Sequence, residues 1–505
     1  MDISWVFIAL GTWLLALVFL SKNFNQYPKR KLPPGPRPWP IIGNLNLLGS
    51  LPHNSLHHLS QKYGDLMLLK FGSKPVLVAS SPEMAKEILK THDAIFASRP
   101  ALAAGKYTSF NYSNMIWAPY GAHLRQARKI YMTEIFNPKR LDSLEYIRVE
   151  ERRTLISRLF PLSGKSVLLK DHLRRFTLST ISRLVMSGKY CSDDSIVIPQ
   201  TLQLLLDEWV LLGGVINIGD WVPWLSWFDL QGYIKRMKAL GKNLIEYYKY
   251  VLEDHKAKRQ TEENYVPKDM VDVLLHLADD PNLEIKLTTD SMMGLIHDLL
   301  AGGTDTSVAA IEWAFQELLR RPNIIDKAHQ ELDIAIGKER WVEEEDFSKL
   351  PYLEAIIKET FRLHPIAALL PPHYSLEDCN VAGYDISKGT PVYVNAWSLG
   401  RNPKYWDRPE EFIPERFIEN NIDIKGQNFT MLPFGSGRRK CPGYRLGIKV
   451  VTTTMANLLH GFNWKLAGDM KPEDISMEEI YGLTTHPNKP VSMIMEPRLP
   501  LHLYY

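Results

Sequence analysis

The chain has three cysteines, Cys191, Cys379 and Cys441, and one of them sits where a thiol could do chemistry. Cys441 lies in LPFGSGRRKCPGYRLG, residues 432–447, just after Arg438, Arg439 and Lys440. A thiol ligates metal as the thiolate, and positive neighbours or a helix start lower its pKa. Pro442 suits the first turn of a helix predicted over GYRLGIKVVTTTMANLLHGF, whose dipole favours an anion at Cys441. Gly435, Gly437 and Gly443 permit a tight turn and the close approach of a flat ligand. The planar fork of Arg439 matches a carboxylate. An iron porphyrin meets these demands together, with a thiolate-binding iron, a flat face and propionates. A cysteine thiolate on haem iron also favours O–O cleavage.

Two further stretches carry candidate chemistry. AGGTDTS, residues 301–307, sets two glycines in a helix interior, where they are costly, and follows them with Asp305 and Thr306. A threonine hydroxyl can bond back to a carbonyl and bend the helix. The pattern predicts a kinked centre with an acid and an alcohol in apolar surroundings. ETFR places Glu359 and Arg362 three apart on one helix face, where they can pair.

These residues need positioning elements. Apolar periodicity predicts helices over residues 229–258, 288–321 and 348–365, the second about 50 Å long at 1.5 Å per residue. Thr289 or Asp290 is the expected cap of that helix, and Pro322 its stop. LMLLKFG and KPVLVAS read as a small hairpin, and residues 395–432 as a long irregular stretch. No internal repeat occurs. The reading is one large, mainly α domain with a minor β-sheet.

The amino terminus differs. ISWVFIALGTWLLALVFL, residues 3–20, carries no charge and as a helix is about 27 Å long, enough to span hydrocarbon. Lys22, Lys29, Arg30 and Lys31 follow, which places the remainder on the cytosolic side. KLPPGPRPWP then reads as a stiff hinge. The expected organisation is an anchor over residues 1–21, a basic, proline-rich hinge over 22–40, and a catalytic domain over 41–505. The net charge of +3 makes no case for nucleic acid, and the absence of CxxC pairs excludes a zinc knuckle or a c-type haem attachment.

FGSGRRKCPG resembles the haem-binding loop of cytochromes P450, F-x-x-G-x-R-x-C-x-G, at Phe434, Gly437, Arg439, Cys441 and Gly443. Glu359 and Arg362 match the family's E-x-x-R, and Arg416 in PERF matches the third member of that buried network. Residues 302–307 fit [AG]-G-x-[DE]-T-[TS], which implies that Thr306 and Asp305 deliver the protons that oxygen activation consumes. WAPYGAHLRQARKI resembles the helix facing a haem propionate, with Arg128 in place and Leu124 where a tryptophan is expected. His373 matches a contact of the other propionate.

The resemblance is to plant A-type microsomal members, flavonoid 3'-hydroxylase-like enzymes and their terpenoid-oxidising relatives. It implies the P450 fold, haem b with Cys441 as iron ligand, and NADPH–cytochrome P450 reductase as electron donor. It also implies a single-pass location in the endoplasmic reticulum membrane, facing the cytosol, and a lipophilic specialised metabolite, terpenoid or flavonoid/phenylpropanoid, as substrate. Lys129, Arg438, Lys440 and Lys449 are the expected reductase face. Expected pocket walls are residues 101–115, 202–215, 294–302, 366–370 and 483–485, with Ala301, Ala367 and Ala368 leaving room. Two rivals share the fold: a peroxide isomerase or dehydratase needing neither O2 nor reductase, and a non-catalytic haem-binding protein. The first typically lacks the helix threonine and extends the cysteine loop; here Thr306 is present and the loop is short.

Overall fold

The computed structural model describes residue 12 and residues 30–187, 199–261, 265–420 and 422–505. The expected anchor, Thr12 apart, lies outside the described residues. The centre of the molecule is the helix Thr289–Arg320, apolar on nearly every side and buried along most of its length. A helix hydrophobic all round must be a core helix. Its cap is Thr288, one residue before the expected position, with Oγ1 accepting from the Ser291 N–H at 3.1 Å. Pro322 opens the next helix, Pro322–Ala335, where its missing N–H costs nothing. The helix runs unbroken through Gly302 and Gly303.

The two glycines have different jobs. A methyl at Gly303 would lie 2.7 Å from Ile181, so this glycine lets the helix Leu169–Met186 pack directly alongside. A methyl at Gly302 would meet nothing within 4 Å. Among the described residues one stretch, Leu202–Trp221, is long and apolar enough to cross a membrane. Leu206, Trp209 and Leu212 of this stretch pack into the core, while Leu204 is exposed.

The minor sheet joins distant parts of the chain. Leu66–Phe71 pairs antiparallel with Lys74–Ala79, as the hairpin pattern predicted. Lys74–Ala79 then pairs in parallel with Pro391–Val394, Leu77 opposite Val392, and His373–Tyr374 pairs antiparallel on the far side. The proline-rich segment, residues 31–40, is docked as a strap. Pro34 O accepts from the Leu68 N–H at 2.9 Å, and Lys31 exchanges bonds with Asp385. Near the carboxyl end, Glu479–Ile480 and His486–Pro487 pair, and the turn between them carries Leu483 and Thr484 inward.

The irregular stretch is held by one buried guanidinium. Arg362 lies on the helix Pro351–Leu363 and donates to Glu359 through Nε at 2.6 Å and Nη2 at 2.8 Å. Its remaining N–H groups reach the carbonyls of Gly400, Pro409 and Glu411 at 2.5, 2.7 and 2.8 Å. Arg416 closes the set, with Nε 3.0 Å from Glu359 Oε1. Glu359→Gln should leave Arg362 buried without its counter-charge, a loss of about 3–5 kcal/mol. Urea unfolding should show a lower midpoint at unchanged slope; an unchanged midpoint would make the network dispensable.

Candidate active site

The loop before Cys441 folds through two glycines in the left-handed region, Gly435 at φ 63° and Gly437 at φ 66°. A methyl on Gly437 would also lie 2.4 Å from Leu89 O. The Cys441 N–H closes the loop on Phe434 O at 2.9 Å. Tyr444–Gly461 is the predicted helix, starting three residues after the cysteine rather than directly at it. Burial pushes the Cys441 thiol up, while the Gly443 N–H and the charges of Arg128 and Lys440 pull it down. Basic neighbours alone therefore do not make the expected thiolate. A bound metal does, because a coordinating thiol is deprotonated outright.

Cys441 lines a cavity together with Phe434, Arg439, Gly443, Arg128, His373 and Thr306. Seven of the eight predicted site residues thus meet in one place; Asp305 alone is not among the lining residues. All five predicted walls contribute, through Met115, Trp209, Asp298, Gly302, Ile366 and Leu483 among others, although Ala368 is in the core. Leu124 also lines the cavity, where it brings no donor.

The cavity's polar side is cationic. Arg439 donates to Ala97 O, Met115 O and Ala118 O at 2.5, 3.0 and 2.5 Å, and Arg128 to Lys440 O at 2.7 Å. A third guanidinium was not anticipated. Arg99 donates to the carbonyls of Ile116, Pro371 and Pro372, and it lines the same cavity. Among the described residues none of the three has a carboxylate within ion-pair distance. Burial holds all three below the usual arginine range, helped for Arg99 by Arg439 and for Arg439, at about 9, by Arg128. His373 donates through Nδ1 to Phe96 O at 2.8 Å and is held well below the usual histidine range by burial and Arg99. Buried charges need a partner. A ligand with two carboxylates, a flat body and a metal for the thiol matches this donor set, so the residues present fit haem.

A family profile described as Cytochrome P450 matches residues 33–493. The chain belongs to the cytochrome P450 family. It is a monooxygenase, and its cofactor is haem b. Trimethyltridecatetraene synthase of Zea mays is 43% identical over 97% of this P450 and 93% of the relative. Dimethylnonatriene synthase of Zea mays is 42% identical, covering 97% and 96%. Flavonoid 3'-monooxygenase of Petunia hybrida is 40% identical, covering 99% and 98%. A solved structure of a zebra fish cytochrome P450 with abiraterone superposes at a TM-score of 0.76, with 26% identity over 89% of this chain and all of that one.

Thr306, in the same lining, donates to Gly302 O at 2.7 Å, the back-bond that threonine makes in helices. Asp305 is turned the other way. It is buried, 2.8 Å from His486 Nε2 and 2.5 Å from Thr484 Oγ1. The expected shared notch of acid and alcohol is therefore split across two helix faces, as a step of about 100° per residue requires. Sequence reasoning also missed Asp298. It lines the cavity and accepts from the Asn114 amide and the Met115 N–H at 2.8 and 2.5 Å, clamping the 101–115 loop. Burial raises its pKa to about 7 in spite of these donors. Arg99 and Asp298 have no local pattern; only the folded neighbourhood marks them.

Gly437→Ala should combine a left-handed backbone with a clash against backbone, costing about 1–3 kcal/mol. Haem content per mole of purified protein should fall with it. Full haem content at wild-type thermal stability would show that the loop tolerates a side chain.

Proposed function

We propose that Cys441 is the iron ligand and that Arg99, Arg128, Arg439 and His373 hold the two propionates. The observation that carries this reading is the meeting of one thiol and three carboxylate-free guanidiniums in a single cavity, with Thr306 in the same lining. Haem supplies the oxygen-activating iron when bound. The chain supplies a positive cradle that fixes its orientation, apolar walls that exclude water, and a hydroxyl at Thr306 that holds a proton near the reacting centre.

The substrate we infer is an acyclic terpenoid. The wall above the cysteine side is built from Ile116, Trp209, Val210, Leu299, Ala301, Ile366 and Leu483, and the open space over Gly302 adds depth. Its charged members, Asp298 and Arg99, are already engaged by backbone donors and carbonyls. A polyphenol would need a partner for every hydroxyl, and beyond the threonines and Ser307 the lining offers few, so unpaired hydroxyls would be costly in this buried site. A branched hydrocarbon needs only contact. The names of two relatives at more than 40% identity denote branched acyclic polyenes, in keeping with this choice.

The anchor over residues 1–21 would hold the enzyme in the endoplasmic reticulum membrane with residues 41–505 in the cytosol, and the docked strap would set its attitude. NADPH–cytochrome P450 reductase would approach the cysteine side. Lys129 and Arg445 are exposed there and Lys440 lies 3.7 Å over the Tyr444 ring. Arg438 and Lys449 are less available, because they pair with Asp93 and with Glu344. Electron transfer should therefore weaken at high salt and in Lys129→Glu, the measurement being reductase-dependent haem reduction rate.

The test is expression with reductase and a panel of acyclic fifteen- and twenty-carbon terpene alcohols set against flavanones. Substrate-induced spectral shifts and NADPH-dependent products are expected from the terpene alcohols; shifts and products from flavanones alone would overturn the substrate class. Cys441→Ala should lose the reduced-carbon-monoxide band that marks thiolate ligation. Thr306→Ala should keep haem and substrate binding but lower the product formed per NADPH consumed, since a positioned general acid contributes about 10²–10⁴-fold. An unchanged ratio would assign the proton to another group.

A further inference from the structure

Asp305 faces away from the cavity, yet it is not isolated. Glu312 lies seven residues further along the same helix, on the same face, and is also buried. His486 stands between the two carboxylates. Its Nε2 is 2.8 Å from Asp305 Oδ2 and 3.1 Å from Thr484 Oγ1, and its Nδ1 is 3.8 Å from Glu312 Oε2. Glu312 Oε2 in turn lies 3.2 Å from Lys170 Nζ, whose side chain is 17% exposed. At the inner end the Thr484 hydroxyl donates to Asp305 Oδ2 at 2.5 Å, and Thr484 lines the cavity. Lys170, Glu312, His486, Asp305 and Thr484 therefore form a polar file from the protein surface to the cavity wall, hydrogen-bonded from His486 inward and joined outward by ion-pair contacts of 3.8 and 3.2 Å.

Packing alone does not require this file. Buried ion pairs are often no more stabilising than well-packed apolar residues of the same size. The strand bearing His486 is already fixed to the helix by Trp313 Nε1 donating to Thr485 O at 3.1 Å and Gln316 Nε2 to Lys489 O at 3.0 Å.

We propose that His486 resupplies Asp305 with protons and that they enter the cavity through the Thr484 hydroxyl. The proposal rests on the reading of that cavity as the oxygen-activating site. Each turnover takes up O2, two electrons and two protons, places one oxygen in the substrate and releases the other as water. The electrons come from NADPH through the reductase, and the protons come from solvent. His486 Nε2–H transfers its proton to the Asp305 carboxylate. Once the Thr484 O–H turns from Asp305 toward the cavity, its oxygen accepts that proton and releases its own into the cavity, so the hydroxyl is unchanged at the end. The imidazole regains a proton from the Glu312 and Lys170 side. His486 is thus a positioning residue that holds the proton in reserve.

The charges facing His486 are Asp305 and Glu312 from the central helix and Lys170 from the helix Leu169–Met186. Arg174 of that same helix acts on Asp305. Burial would lower the histidine, but the two carboxylates outweigh it and raise it to about 9. Burial would raise Asp305, but the charge and hydrogen bonds of His486 and the Thr484 hydroxyl hold it below the usual carboxylate range. The loaded pair is complete below the ordinary histidine pKa of 6.5 and is lost as pH rises through about 9.

The test uses the full chain with reductase and the terpene alcohol turned over in the panel above. His486→Gln keeps an N–H for Asp305 but cannot carry the extra proton. Thr484→Val removes the inner hydroxyl. Both should retain wild-type haem content and the reduced-carbon-monoxide band. In both, product per NADPH should fall by about 10²-fold, the lower end of the range for a positioned proton donor. The double variant should be no worse than either single one. The decline of wild-type coupling near pH 9 should be missing from His486→Gln. Independently of turnover, the ring carbons of ¹³C-labelled histidine in the resting enzyme should include one resonance that titrates near pH 9. That resonance should vanish in His486→Gln and move to lower pH in Asp305→Asn. Wild-type coupling and pH profile in His486→Gln, or no histidine titrating above pH 8 in the wild type, would overturn the relay. Absence of the carbon monoxide band from the wild type would overturn the functional reading instead.

Discussion

Three guanidinium groups, Arg99, Arg128 and Arg439, line one cavity, and their protein partners are backbone carbonyls. Carbonyls satisfy the N–H groups but leave the charge uncompensated, and burial then pushes every one of these arginines below its usual range. The rest of the site follows from that imbalance. The strand carrying His373, the loop clamped by Asp298 and the glycine turn before Cys441 all converge on the place where an anionic ligand would neutralise the cluster. A family whose cofactor carries two propionates and an iron uses such a place, and Cys441 lines the same cavity.

Much of this was legible in the residues themselves, because the chemistry is local. Cys441 with its glycines and Arg439 occupies ten consecutive positions, and a ten-residue pattern survives without knowledge of the fold. The hairpin at residues 66–79 and the long central helix were equally local, since alternation and apolar density mark them. What was hidden depends on long-range packing. Arg99 is one arginine before a proline until a loop more than 270 residues away folds over it. Asp305 and Thr306 are adjacent in the chain, but helix geometry sends one to the cavity and the other to His486, a partner 181 residues on. The docking of the strap was hidden for the same reason: prolines predict stiffness, not the sheet edge that the strap is stitched to.

The central helix reconciles opposite demands within one turn. Gly303 lets a neighbouring helix approach, Gly302 keeps space open over the cavity floor, and the Thr306 hydroxyl caps the Gly302 carbonyl on that exposed side. Each concession to the site removes local helix stability, and burial of the remaining faces offsets it. The helix stays continuous through its two glycines because tertiary packing, not propensity, holds it.

The parallel pairing of Lys74–Ala79 with Pro391–Val394 joins segments more than 300 residues apart. Parallel pairing across such a span is slow to form, and its closure entropy comes due before its contacts repay it. On the ribosome the first strand emerges long before its partner exists. The cavity's walls run from Arg99 to Thr484, so nearly the whole chain must be synthesised before there is anywhere for a cofactor to lodge. Loading is therefore a late event in biogenesis. A nascent chain stalled short of its last strands exposes its apolar helices to water with nothing to fill them, which makes the supply of cofactor and chaperone, as much as the sequence, a determinant of yield.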